Sequence, residues 1–125
     1  MADRKRARLR LTHYDLEAWQ EAMRLARDVY QLTRELPDSE RWGLIAQMRR
    51  AAVSVASNIA EGASRGRGVE FKRYLTIARG SLIELDTQLW LARDLKLCKP
   101  AAPMLERMAS CIKLINGLIK SRGTP

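Results

Sequence analysis

The stretch Phe71-Lys72-Arg73-Tyr74-Leu75-Thr76-Ile77-Ala78-Arg79-Gly80-Ser81-Leu82-Ile83-Glu84-Leu85-Asp86-Thr87-Gln88-Leu89-Trp90-Leu91-Ala92 decides the fold. Within it Phe71, Leu75, Ala78, Leu82, Leu85, Leu89 and Ala92 fall alternately four and three residues apart. That spacing lays one apolar seam along a helix, and such a seam is stable only against other helices. The pattern predicts a helix over about 69–97, and the rest of the chain must supply its partners.

Working outward, glycine and proline mark the breaks: Pro37, the run Gly62 to Gly68, and Pro100 with Pro103. A second helix is expected over about 38–62, capped by Asp38 or Ser39, with Ile45, Met48, Ala52, Val55 and Ile59 inward. Its other positions are small (Ala46, Ala51, Ser54, Ala56, Ser57, Ala60), which allows two backbones to approach closely. Gly62 is expected to end it in the left-handed conformation. The first helix, about 15–36 and capped by Asp15, carries Leu16, Trp19, Met23, Ala26 and Tyr30 on one face. Ala18, Ala22, Leu25, Val29, Leu32 and Leu36 widen this apolar arc beyond half the circumference. The fourth helix, about 101–122, has Leu105, Met108, Ile112, Ile115 and Ile119, flanked by Met104, Cys111 and Leu118. No window alternates as a strand does. The fold class is therefore all-α, an antiparallel up-and-down four-helix bundle over 15–122, with a basic arm at 1–14 and a tail at 123–125.

Surplus apolar groups point to self-association. Leu25 and Leu32 on helix one, and Ile83 and Trp90 on helix three, lie off the seams a single bundle would use, so they are the expected oligomer interface.

The chain of 125 residues carries 23 Lys and Arg against 14 Asp and Glu, a net charge of +9. A balance this basic favours polyanions as partners. The candidate nucleic-acid contacts are Arg4, Lys5, Arg6, Arg8 and Arg10 in the arm, Arg49 and Arg50 on helix two, and Arg65 and Arg67 in the glycine-rich loop. Lys72, Arg79 and Arg93 add an edge of helix three. Aromatic residues make up 6% of the chain, and Trp19, Trp90 and Tyr30 read as packing residues, so backbone phosphate contact rather than base stacking is expected.

Reactive groups are sparse. His13 is the single histidine and reads as a solvated tail residue, which leaves no anchored base for a Ser or Cys nucleophile. Cys98 and Cys111 stand thirteen apart without nearby histidines, so no metal site is expected and no other cofactor. The 62–68 loop follows a helix and lacks the Lys-Ser/Thr ending of a phosphate-binding loop. Near the seam, Asn58, Glu61 and Glu84 are expected to form an interhelix polar network, with Arg49 or Arg79 pairing to Glu61 or Glu84. Two thiols without a secretory segment, and no run of 18 apolar residues, make a cytoplasmic protein without membrane contact the expectation.

The stretches Arg49 to Gly62 (RRAAVSVASNIAEG) and Ile77 to Leu85 (IARGSLIEL), with the opening Asp15 to Gln20 (DLEAWQ), resemble the bacterial four-helix-bundle proteins encoded in intervening sequences of 23S rRNA genes. Those proteins are related in fold to the accessory variability proteins of diversity-generating retroelements. The resemblance implies a homopentameric ring and no catalytic activity and, through the retroelement relatives, RNA or DNA bound on a basic surface with a reverse transcriptase as a further partner. By position it carries across Arg49, Arg50, Asn58, Glu61, Gly62, Arg79, Gly80, Ser81 and Glu84, with Gly80 permitting close approach of another chain. Ala56 stands where many members have proline, and the basic arm is an addition. The function expected is a non-enzymatic, oligomeric nucleic-acid-binding protein. The alternative is a scaffold that docks a polymerase or another protein through its outer apolar faces.

Overall fold

In the computed structural model, which describes residues 11–122, four helices run in sequence: α1 (Glu17–Thr33), α2 (Leu44–Ala63), α3 (Val69–Asp94) and α4 (Ala102–Arg122). There is no strand among the described residues. Each helix packs on the next, and α4 closes on α1, so the four stand at the corners of a square. Adjacent helices joined by short loops must run antiparallel. The register confirms it for the central pair: Gly62 of α2 lies against Tyr74 of α3, while Ser54, earlier on α2, meets Ser81, later on α3.

The α3 seam is buried throughout, from Phe71 to Ala92. On α2 the expected inward residues Met48, Ala52, Val55 and Ile59 are also buried, joined by Leu44, Ala51 and Ala56. The other two helices are rotated relative to the reading of their pattern. On α1 the core takes Ala18, Trp19, Ala22, Leu25, Val29 and Leu32, and leaves Tyr30 42% exposed. On α4 it takes Met104, Met108, Cys111 and Ile115, while Leu105 is exposed.

The helix ends differ from expectation for local reasons. Residues Thr12–Asp15 form a 3₁₀ turn, so Asp15 is not a cap and α1 starts after Leu16. This turn sets His13 edge-on to Tyr14 (ring centroids 4.9 Å apart) and Trp19 (4.8 Å), where Gln20 Nε2 donates to the Tyr14 carbonyl at 2.8 Å. His13 is thus half-buried against the bundle rather than solvated, and desolvation lowers its pKa. Asp38–Glu40 form a second 3₁₀ turn, and α2 begins only after Gly43, where Glu40 Oε1 accepts the Leu44 N–H at 3.1 Å. That carboxylate satisfies an otherwise unpaired donor and favours the positive helix end.

Gly62 is inside α2, and the left-handed positions of the loop are Gly66 (φ 87°) and Gly68 (φ 107°). What Gly62 supplies is room: a Cβ there would stand 2.7 Å from Tyr74 Cβ and 3.0 Å from Phe71 Cδ1. At the far end α3 stops short of Leu97. Lys96 takes φ 59°, the Leu97 N–H returns to the Ala92 carbonyl at 2.9 Å and the Lys96 N–H to that of Arg93, closing a Schellman turn without glycine.

Candidate nucleic-acid interface

The basic residues expected from the sequence are distributed over separate faces of this square. Arg4, Lys5, Arg6, Arg8 and Arg10 lie outside the described residues. Arg79 projects from α3 toward α4, where its Nη1 donates to Asn116 Oδ1 at 3.0 Å. Lys72 is exposed, and the Arg93 guanidinium sits 5.2 Å from the Trp90 ring centroid. At the α2–α3 turn, Arg65 makes a 3.5 Å ion pair with Glu61 and stands 5.3 Å from the Tyr74 ring. Arg73, which the sequence reading passed over, reaches the same ring at 5.0 Å. Arg67 is exposed beside them in the chain.

Arg49 and Arg50 belong to the opposite side, over the junction of α1 with α2. Arg49 donates from Nε to Thr33 Oγ1 at 2.8 Å and from Nη2 to the Tyr30 carbonyl at 3.4 Å, and its guanidinium lies 4.5 Å from the Tyr30 ring centroid. With Arg41 and Arg50 it borders an open cleft of about 440 Å³ whose lining also includes Ile45 and Val53. Arg41 carried no role in the sequence reading, and neither did Trp42, which is 86% exposed. Both sit in the segment assigned to a helix. In a helix they would have been placed by its pattern, whereas the 3₁₀ turn and Gly43 release them to the surface.

The interhelix network expected of Asn58, Glu61 and Glu84 does not form among the described residues, since each of the three bonds only to a residue four positions away in the chain. Asn58 Nδ2 donates to the Ser54 carbonyl at 2.9 Å and to Ser54 Oγ at 3.0 Å, and Ser54 and Ser81 share a 2.8 Å bond across α2 and α3. Glu61 pairs with Arg65, and Glu84 accepts from Gln88 Nε2 at 3.2 Å, so neither carboxylate meets Arg49 or Arg79. The helices α1 and α4 are tied by Arg107 and Asp28, 3.2 Å apart but off line for a hydrogen bond.

The expected oligomer interface divides in the same way. Leu25 and Leu32 are 1% and 6% exposed and belong to the core of their own chain, which removes them from any outer contact. Ile83 and Trp90 are 56% and 55% exposed and line a groove of about 440 Å³ between α3 and α4, floored by Leu89, Met108 and Ile112. Asp86 and Arg93 stand on the α3 side of this groove.

Among the described residues, no group of three side chains could hold a metal ion, and no helix is long and apolar enough to cross a membrane. Burial pushes the Cys111 thiol up to about 12, and burial, with Glu35 nearby, raises that of Cys98. Neither thiol is an activated nucleophile.

With this bundle and its side chains in place, comparison with family models gives one decisive result: the model described as 23S rRNA-intervening sequence protein matches residues 14–117. The chain belongs to that family. The match takes in α1, α2 and α3 whole and most of α4, and begins within the Thr12–Asp15 turn. The basic residues Arg4, Lys5, Arg6, Arg8 and Arg10 lie before the matched region. No curated protein matches the chain.

Proposed function

We propose that this protein is a non-enzymatic, oligomeric nucleic-acid-binding protein that contacts RNA or DNA phosphates through basic surfaces. The supporting observation is electrostatic. Of the candidate contacts Arg49, Arg50, Arg65, Arg67, Lys72, Arg79 and Arg93, only Arg65 lies within ion-pair distance of a carboxylate among the described residues. Cations held on several faces without internal counter-charges are available to displace the counterions of a polyanion. The family description, naming 23S rRNA intervening sequences, makes structured RNA the first ligand to test. Assembly into a ring, a pentamer by the resemblance, would repeat each face around an axis and join local patches that one chain keeps apart.

The test is binding of the pure protein to a structured RNA across a salt series. Affinity is expected to fall roughly a thousandfold between about 50 and 200 mM salt. Deleting residues 1–10, which leaves the His13–Trp19 contact in place, should flatten the slope. A salt-independent interaction, or no binding, overturns the proposal.

A second reading, a scaffold that docks a polymerase such as a reverse transcriptase, is favoured by the apolar groove at Ile83 and Trp90.

A further inference from the structure

We propose that the cleft between α1 and α2 binds an unpaired nucleotide of a single strand, with phosphates on Arg41 and Arg50, a base on the Arg49 guanidinium that the Tyr30 ring backs, and the exposed Trp42 that follows Arg41 in the chain against the same strand. The inference rests on the reading of the protein as a nucleic-acid binder and adds the place and the form of the ligand.

Three features of the cleft meet in this ligand. Arg49 is already fixed, since Thr33 and the Tyr30 carbonyl hold its guanidinium and the Tyr30 ring lies 4.5 Å below it. A ligand stacking there has little side-chain ordering left to offset. Arg41 and Arg50 are exposed and have no carboxylate within ion-pair distance among the described residues. Between the arginines lies apolar surface from Ile45 and Val53, and Trp42 follows Arg41 in the chain with most of its indole in solvent.

A free phosphate would use the charges and ignore the apolar floor. A duplex offers phosphates but keeps the faces of its bases stacked inside. A strand with an unstacked base presents both at once, and aromatic rings beside guanidinium groups are the usual platform for it. An acidic peptide supplies the charge without the planar group.

The experiment measures binding of about twelve-nucleotide uridine and deoxythymidine strands, and of duplexes of equal length, with intrinsic tryptophan fluorescence as a second readout. The strands should quench the fluorescence, and Trp42→Ala should remove most of that quenching. The same variant should weaken strand binding roughly tenfold while duplex binding stays within about threefold. The double variant Arg41→Ala, Arg50→Ala should weaken strand and duplex alike. A poly-glutamate peptide that competes as well as the strand overturns the proposal, as does unchanged strand affinity in Trp42→Ala. A Trp42→Ala protein of altered subunit number with unchanged strand binding makes the cleft a subunit contact and also overturns it. Should the wild-type protein bind the duplexes but not the strands, the cleft proposal fails and the nucleic-acid reading stands. Binding of neither removes that reading itself.

Discussion

Arg49 on α2 and Thr33 on α1 are joined by a 2.8 Å hydrogen bond whose acceptor hydroxyl is fully buried and itself donates to the Val29 carbonyl at 2.8 Å. One hydroxyl thereby locks the last turn of α1 to the first half of α2 and aims a guanidinium over Tyr30. Thr33→Val keeps the shape and removes both bonds, leaving Arg49 Nε without its partner. The expected loss is about 1–2 kcal/mol, read as a melting temperature lower by roughly 3–6 °C.

Gly62 and Gly80 predict opposite signs for one substitution. A methyl at Gly62 would press on Tyr74 Cβ, which is fixed to its backbone, and on the ring of the buried Phe71, so Gly62→Ala should destabilise by about 1–2 kcal/mol after its gain in helix propensity. A methyl at Gly80 meets nothing within 4 Å, so Gly80→Ala should stabilise the chain by up to about 1 kcal/mol. Denaturant midpoints of the two variants check the pair.

These cases show what the sequence could and could not convey. The α3 seam was legible because its apolar residues form a narrow stripe, and only one rotation buries Phe71, Leu75, Ala78, Leu82, Leu85, Leu89 and Ala92 together. On α1 the apolar arc exceeds half the circle, so periodicity alone does not fix the rotation. The structure buries Leu25 and Leu32 and exposes Tyr30, the reverse of the assignment made from spacing. The cleft was harder still to anticipate. Arg41 and its neighbour Trp42 acquire their position from a 3₁₀ turn and a side-chain cap by Glu40, local departures from the helix that apolar spacing does not register.

Lys96 should be replaceable to advantage. A β-carbon at φ 59° costs energy that glycine avoids, and the Schellman bonds around it need only the backbone. Lys96→Gly is expected to stabilise by about 0.5–1 kcal/mol, measured by the same denaturant midpoint. A loss of stability would mean that the lysine side chain contributes more than its backbone conformation costs.

Cys111 gives a pH dependence of defined sign. Its thiol, pushed up to about 12 by burial, holds its proton in the folded chain over a range where the unfolded chain has released it. Its contribution to stability is complete below about pH 9 and is lost as pH rises toward 12. The melting temperature of the wild type should therefore fall more steeply above pH 9 than that of Cys111→Ala. At neutral pH, alkylation should modify Cys98 slowly and Cys111 only on unfolding, because Cys98 is half-buried and Cys111 has no accessible surface.

The groove beside Trp90 separates the two readings of how this protein meets others. Trp90 is more than half exposed, so Trp90→Glu sacrifices little packing within the chain, and the new carboxylate stands three residues before Arg93 on the same helical face. Folding should survive with a change of about 1 kcal/mol or less. Placed in an apolar contact between copies, however, the same carboxylate would be desolvated opposite Leu105 and Ile112, and the contact should fail. Light scattering is expected to show a multimer for the wild type and a monomer for Trp90→Glu. An intact multimer that no longer retains a polymerase partner would instead assign the groove to docking, because only a surface left free in the assembly can lose a ligand without losing subunits. A variant that keeps both its subunit number and its partner would show that this apolar surface serves neither contact.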